Sequence, residues 1–192
     1  DKYTPKNRFL GVTTNLIKLY FMADPYLDKI LINMQIDKKK YIKMIKNIQG
    51  AEMENFIVCK YKGINIGLII FIKLNDFLTA NLKNKFILLK MVNDNNKKIL
   101  INHFKSYNLK FLKNSKNESI YITKISVLPE YQSKGVASKL LKKSILNTKK
   151  DIYLHVEKNN NSANEFYKKN SFKSVLIDKN YILKKYQYMP NA

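Results

Sequence analysis

Apolar and polar positions alternate along this chain in two rhythms, and the rhythm changes several times. Phe9-Leu10-Gly11-Val12 reads as a short first strand. Thr13 or Thr14 then stands as the N-cap of a helix carrying Leu16, Ile17, Leu19 and Tyr20 at helical spacing. Pro25 disfavours helical geometry at Asp24, so Met22 to Tyr26 is a break. A second helix resumes near Tyr26 with Ile30, Leu31 and Met34 on one face, and Asp37 can cap a third bearing Tyr41, Ile42, Ile45 and Ile48. Asn55 to Tyr61, Lys62-Gly63 and Ile66 to Leu74 predict an antiparallel hairpin, its second strand buried on both faces.

Residues 75–117 are too long for a turn and read as an insertion between the third and fourth strands. Leu78, Leu82, Phe86 and Leu89, then Leu100, Phe104, Tyr107 and Phe111, recur at helical spacing on either side of Asp94-Asn95-Asn96. That favours a helical hairpin over a disordered loop or an extended hairpin. Strand Ile120–Leu128 follows, then a helix over Lys134–Asn147 with Val136, Leu140, Leu141 and Ile145 inward. Strand Ile152–Val156 returns parallel to Ile120–Leu128, because a strand-helix-strand crossover is right-handed and needs about this much chain. A helix over Ser162–Asn170 and strands Lys173–Ile177 and Tyr181–Tyr186 complete a single α/β domain spanning 1–192 with a mixed sheet.

Composition narrows the function classes. No apolar run approaches the length of a bilayer span, and no secretory pattern stands in order at the N-terminus. A single cysteine, Cys59 in an apolar run, excludes an internal disulfide and fits a reducing compartment, so a cytoplasmic location is expected. His103 and His155 lie far apart with no carboxylate or thiol at ligand spacing, so no metal is expected. The net charge of +22 invites a nucleic-acid reading, but the lysines and asparagines are scattered through strands, loops and helices alike. Compositional bias is the simpler account, a field steering the chain to the ribosome or an acidic partner the next. No aromatic-basic RNA-binding signature is present, and no specific nucleic acid is expected.

The candidate chemistry lies in two consecutive strand-loop-helix segments. After strand Ile120–Leu128, the loop Gln132-Ser133-Lys134-Gly135-Val136-Ala137 has small or flexible residues at a helix start, where free N–H groups and the helix dipole favour a phosphate. The second segment carries Asn160-x-x-Ala163-x-x-Phe166-Tyr167. This pair of motifs resembles the acetyl-CoA-binding core of the GNAT acetyltransferases, most closely the protein N-terminal acetyltransferases of the NatE and NatF type. The resemblance covers the last third of the chain.

The resemblance implies a GNAT acyl-CoA N-acyltransferase fold with acetyl-CoA as co-substrate. Its pantetheine would lie along Ile125, Ser126 and Val127, with the Val127 N–H on the thioester oxygen. The pyrophosphate would rest on Gln132, Ser133, Lys134, Gly135, Val136, Ala137 and Ser138, and Asn160, Ala163 and Tyr167 would complete the cofactor site. Tyr121 and His155 would deprotonate the acceptor amine through ordered water; a histidine with an ordinary pKa near 6.5 suits that task. Tyr167 would protonate the leaving thiolate, and Met22, Tyr26, Thr123, Tyr181 and Ile182 would grip the first peptide residues. Ordinary core or strand packing is the alternative for His155, Tyr167, Tyr26 and Tyr181.

Three departures from the family pattern bear on the site: Ala137 and Ser171 replace usual glycines, and Gln132-Ser133 stand where arginines are frequent, leaving Lys134 or Lys139 to supply charge. The implied activity is acetylation of protein N-termini that begin with Met and an apolar residue, with the ribosome or other acetyltransferase subunits as partners. The alternatives are acetylation of a small amine, such as a polyamine or amino sugar, and a slow CoA-binding interaction subunit.

Overall fold

The computed structural model describes residues 4–5, 13–47, 55–106, 118–177 and 181–189. The strand expected at Phe9–Val12 and the apolar positions Ile48, Tyr107 and Phe111 lie outside them. In chain order the elements are β1 (Thr4–Pro5), α1 (Thr14–Met22), α2 (Pro25–Asn33), α3 (Lys38–Asn47), β2 (Phe56–Tyr61) and β3 (Ile64–Lys73). Then come α4 (Leu74–Met91), α5 (Asp94–Ser106), β4 (Ile120–Val127), α6 (Val136–Thr148), β5 (Ile152–Glu157), α7 (Asn161–Lys169), β6 (Lys173–Ile177) and β7 (Tyr181–Tyr186).

The strands form one mixed sheet in the order β1-β2-β3-β4-β5-β7-β6. Only β4 and β5 run parallel, joined by the α6 crossover; every other described pair is antiparallel. Local chemistry sets the starts and turns. The Thr13 hydroxyl accepts from the Leu16 N–H at 3.3 Å to cap α1, and the Asp24 carboxylate accepts from the Leu27 N–H at 3.0 Å to cap α2. Pro25 takes the first helical position, where its missing N–H is no loss, so α2 begins at the proline itself. Lys62 and Gly63 both have positive φ (47° and 79°), the demand of a tight two-residue hairpin turn between β2 and β3.

The insertion is a helical pair, α4 running directly out of β3 and α5 beginning three residues after α4 ends. Its orientation differs from the predicted one. Leu82 is 66% exposed, and Leu78 and Phe86 are also outside. The face turned inward carries Phe77, Ala80, Ile87 and Leu88. Phe77 and Ala80 form, with Ile72, Leu74, Tyr121, Tyr153 and Leu183, a second apolar cluster beside the main core. Helix α4 thereby becomes a wall next to β4, which a plain β-hairpin connection would not provide.

Candidate active site

Strands β4 and β5 pair only at Ile120–Ile152 and Tyr121–Tyr153, and then part. Their outer edges stay zipped: β3 follows β4 to Val127, and β7 follows β5 to Glu157. The parting opens a cleft of about 1420 Å³ whose walls come from both strands, the α1–α2 turn, α4, the loop before α6, and α7.

A bulge in β4 decides what faces this cleft. Lys124 opposes Ile70 and Ile122 opposes Phe71, leaving Thr123 as the extra residue. Strict alternation would put Tyr121 and Lys124 on opposite faces; the bulge places both on the face of Ile70 and Ile72. Tyr153 lies opposite Tyr121 on β5, so His155, two residues on, shares that face. Tyr121 Oη and His155 Nδ1 are hydrogen-bonded to each other. Phe77 backs the Tyr121 ring at 4.2 Å, and the Tyr181 ring meets the imidazole edge-on at 5.2 Å.

Burial lowers the His155 pKa to about 4, more than the opposing charge of Asp24 can restore. The imidazole is therefore neutral at neutral pH and able to accept a proton. Tyr167, buried on α7 at the opposite wall, has its phenol pKa raised by burial and keeps its proton.

Backbone geometry supplies the remaining groups. The Leu128 N–H bonds Ile66 O at 2.9 Å on the β3 side. Alternation then turns the amide groups of Val127 and Ile125 toward the gap. The Gln132 amide donates to Val127 O at 3.0 Å, tying the following loop to the strand end. Ser133 (φ 58°) and Gly135 (φ 77°) are left-handed, and Gly135 is the residue immediately before α6. Left-handed backbone of this kind can turn N–H groups into a concavity, and the helix dipole adds to it. Helix α6 consequently begins at Val136, two residues later than predicted.

The predicted cofactor residues Ile125, Ser126, Val127, Gln132, Ser133, Gly135, Val136, Ala137, Ser138, Asn160, Ala163 and Tyr167 all line the cleft, as do Met22, Tyr26, Thr123 and Tyr181 on the other side. Two do not. The Lys134 ammonium lies over the Tyr131 ring, 5.6 Å from its centroid, and Lys139 is likewise absent from the lining. Ile182, half-buried, packs against the main core, because it neighbours the cleft-facing Tyr181 and alternation sends it to the opposite face. Asn160 has a structural task besides: its side chain caps α7 by accepting from the Ala163 N–H at 3.1 Å. Ala137 sits in helical backbone without strain, whereas Ser171 adopts φ 65°, the conformation a glycine favours.

With this arrangement in view, the comparison with protein families is decisive: the model described as "Acetyltransferase (GNAT) family" matches residues 34–172. This chain is a GNAT acetyltransferase. It is accordingly an acetyl-CoA-dependent N-acetyltransferase, and the splayed strands and left-handed loop fit the elongated, pyrophosphate-bearing co-substrate. Solved structures share the fold. A GNAT family acetyltransferase from Elizabethkingia anophelis with acetyl-CoA bound superposes with TM-score 0.53 at 16% identity, covering 97% of this chain and 99% of the other. The paia N-acetyltransferase of Thermoplasma acidophilum, in complex with coenzyme A, gives 0.58 at 15%, covering 98% and 100%. The ribosomal-protein alanine N-acetyltransferase of Escherichia coli gives 0.51 at 12%, covering 100% and 99%. No curated protein matches the chain.

The GNAT site also contains residues that sequence reasoning passed over. Phe77, Asn81, Asn84 and Lys85 bring α4 into the cleft wall on the side of Met22 and Tyr26, and Asp24 and Lys124 meet there. The one available signal was Lys124, the single charged residue in the strand Ile120–Val127. Among the described residues no group of three His, Cys, Asp or Glu could hold a metal, and no helix is long and apolar enough to cross a membrane.

Proposed function

We propose that this enzyme acetylates the α-amino group of protein N-termini, preferring Met followed by an apolar residue. The observation that carries the reading is the hydrogen-bonded Tyr121–His155 pair, placed where the strands part and facing a wall of Met22, Tyr26, Thr123 and Tyr181. Tyr26 is 50% exposed, so this wall reaches the surface, as a groove for an extended chain must. Met22 and the two tyrosine rings are suited to an apolar first side chain followed by an extended backbone.

Acetyl-CoA supplies the acetyl group activated as a thioester. The protein supplies the rest. His155, neutral and hydrogen-bonded to Tyr121, takes the proton that the acceptor ammonium must lose before its nitrogen can attack. The gap-facing N–H of Val127 donates toward the oxygen that gains charge when the amine adds. Tyr167, whose phenol pKa burial raises, holds a proton for the sulfur as the C–S bond breaks. Asn160 and the loop 132–138 hold the distal part of the co-substrate and leave the dyad to the acceptor.

A neighbour of this fold carries a ribosomal-protein substrate in its name. With a net charge of +22 the chain would be drawn to RNA-rich surfaces, so the ribosome is the natural meeting place and the cytoplasm the natural location. A thiol-release assay with a Met-Leu peptide, a Ser-starting peptide and spermidine tests the proposal. The Met-Leu peptide should turn over fastest; preference for spermidine would replace the peptide reading with a small-amine one.

A further inference from the structure

One charged pair lies in the acceptor half of the cleft and takes no part in the chemistry above. Lys124 Nζ stands 2.9 Å from Asp24 Oδ2, with the lysine side chain only 5% exposed and the aspartate 35%. The ammonium also lies 4.7 Å from the centroid of the Tyr20 ring. The other Asp24 oxygen holds the Leu27 N–H at the start of α2. Ser126, on the same face of β4, donates from Oγ to Leu19 O at 2.6 Å. Helix α1 and the turn that follows it are thus each fastened to β4 at one point, beside the dyad.

Stability alone is a weak reason for such a pair. Removing both charges from water offsets most of their attraction, and apolar residues of the same size often stabilise as well or better. Its position suggests another role. Asp24 and Lys124 both line the cleft that holds Tyr121 and His155, and Asp24 is the one carboxylate among the described lining residues contributed by α1, α2, their turn and α4. The other charges on these walls are Lys29 and Lys85; Glu157, Glu165 and Lys169 belong to the β5–α7 side. An amine substrate arrives as an ammonium ion, and lysines alone would repel it.

We propose that Asp24, held in place by Lys124, is a positioning residue that receives the acceptor ammonium at the mouth of the dyad, before His155 takes its proton. A carboxylate oxygen can accept more than one hydrogen bond, so its internal partners leave it able to accept from a substrate. Lys124 lowers the Asp24 pKa against the effect of burial, which keeps the group ionised and unable to take the proton itself. The division of labour follows: Asp24 holds the cation and His155 deprotonates it. The proposal rests on an amine meeting the Tyr121–His155 side of the cleft, and does not depend on whether that amine belongs to a peptide.

Three variants test it: Asp24→Asn, which keeps an oxygen for the α2 cap, Lys124→Met, and the two combined. Each is assayed by thiol release with whichever amine the wild type turns over best among the Met-Leu peptide, the Ser-starting peptide and spermidine, so failure of the peptide reading shows in the wild type alone. Asp24→Asn should raise the acceptor KM about 10- to 100-fold, the scale of a lost charge-assisted hydrogen bond, and leave the acetyl-CoA KM unchanged. Asp24→Asn takes the carboxylate away from the buried Lys124 ammonium and should melt lower than wild type. The double variant should regain most of the melting temperature and keep the raised acceptor KM. Return of both to wild-type values would make the pair purely structural and overturn the proposal, as would an equal rise in the acetyl-CoA KM. If the single variants do not fold, the double variant decides the matter.

Discussion

The two edges of β4 have opposite fates. Along one, seven residue pairs from Gly67–Val127 to Lys73–Ile120 join it to β3; along the other, two pairs join it to β5 before the strands part. On the closed edge the backbone polar groups satisfy one another, and the side chains of β3 and β2 are interchangeable aliphatics such as Ile57, Leu68 and Ile69. On the open edge the amide groups of Ile125 and Val127 face the cleft, and the side chains set there are a hydrogen-bonded pair, Tyr121 on β4 and His155 on β5. The sheet opens a cleft here by withholding a ladder, while its closed edge stays paired along the length of β4.

The largest effect should come from the open edge. His155→Ala or Tyr121→Phe should lower kcat by roughly 10²–10⁴-fold, the usual worth of a positioned acid or base, with acetyl-CoA binding retained. Equal turnover by wild type and both variants would break the contrast. On the closed side, Ile57 is fully buried opposite Ile69, and Ile57→Ala should cost about 2–5 kcal/mol of stability by cavity formation. Its kcat per folded molecule should be unchanged; a large loss would mean that the two edges are not separate in function.

A smaller effect sharpens the picture of His155. Its pKa is about 4 when folded against about 6.5 in an unfolded chain, so as the pH falls the unfolded state binds the proton first. Stability should be indifferent to this group above pH 6.5 and fall between 6.5 and about 4, by on the order of 2–3 kcal/mol. Thermal melts of wild type and His155→Asn across that range would show it, because the variant should lose this part of the slope. Parallel curves would contradict an imidazole held neutral in the folded protein.

How well the sequence could be read differed between the two sides of the cleft in the same way. The loop 132–137, Asn160, Tyr167 and the strand positions of Tyr121 and His155 stand in short motifs whose spacing is local, and all of them except Lys134 line the cleft. The acceptor wall depends on distant meetings. Asp24 and Lys124 are a hundred positions apart, and nothing in either neighbourhood announces the other. Helix α4 offers two apolar stripes, Leu78-Leu82-Phe86 and Phe77-Ala80-Leu88, and spacing alone cannot say which one meets the sheet. Ile182 failed by a single step of alternation, which no composition reveals.

The surplus residue at Thr123 gives the enzyme an unusual fragility. Deleting it would leave a strand of ordinary length with its apolar composition intact, and an alignment would score the loss as a trivial gap. Yet every side chain upstream would swing through half a turn, sending the phenol of Tyr121 away from the imidazole it now touches. The meeting of Tyr121 and His155 is in this sense a matter of parity, kept by one extra link in the chain.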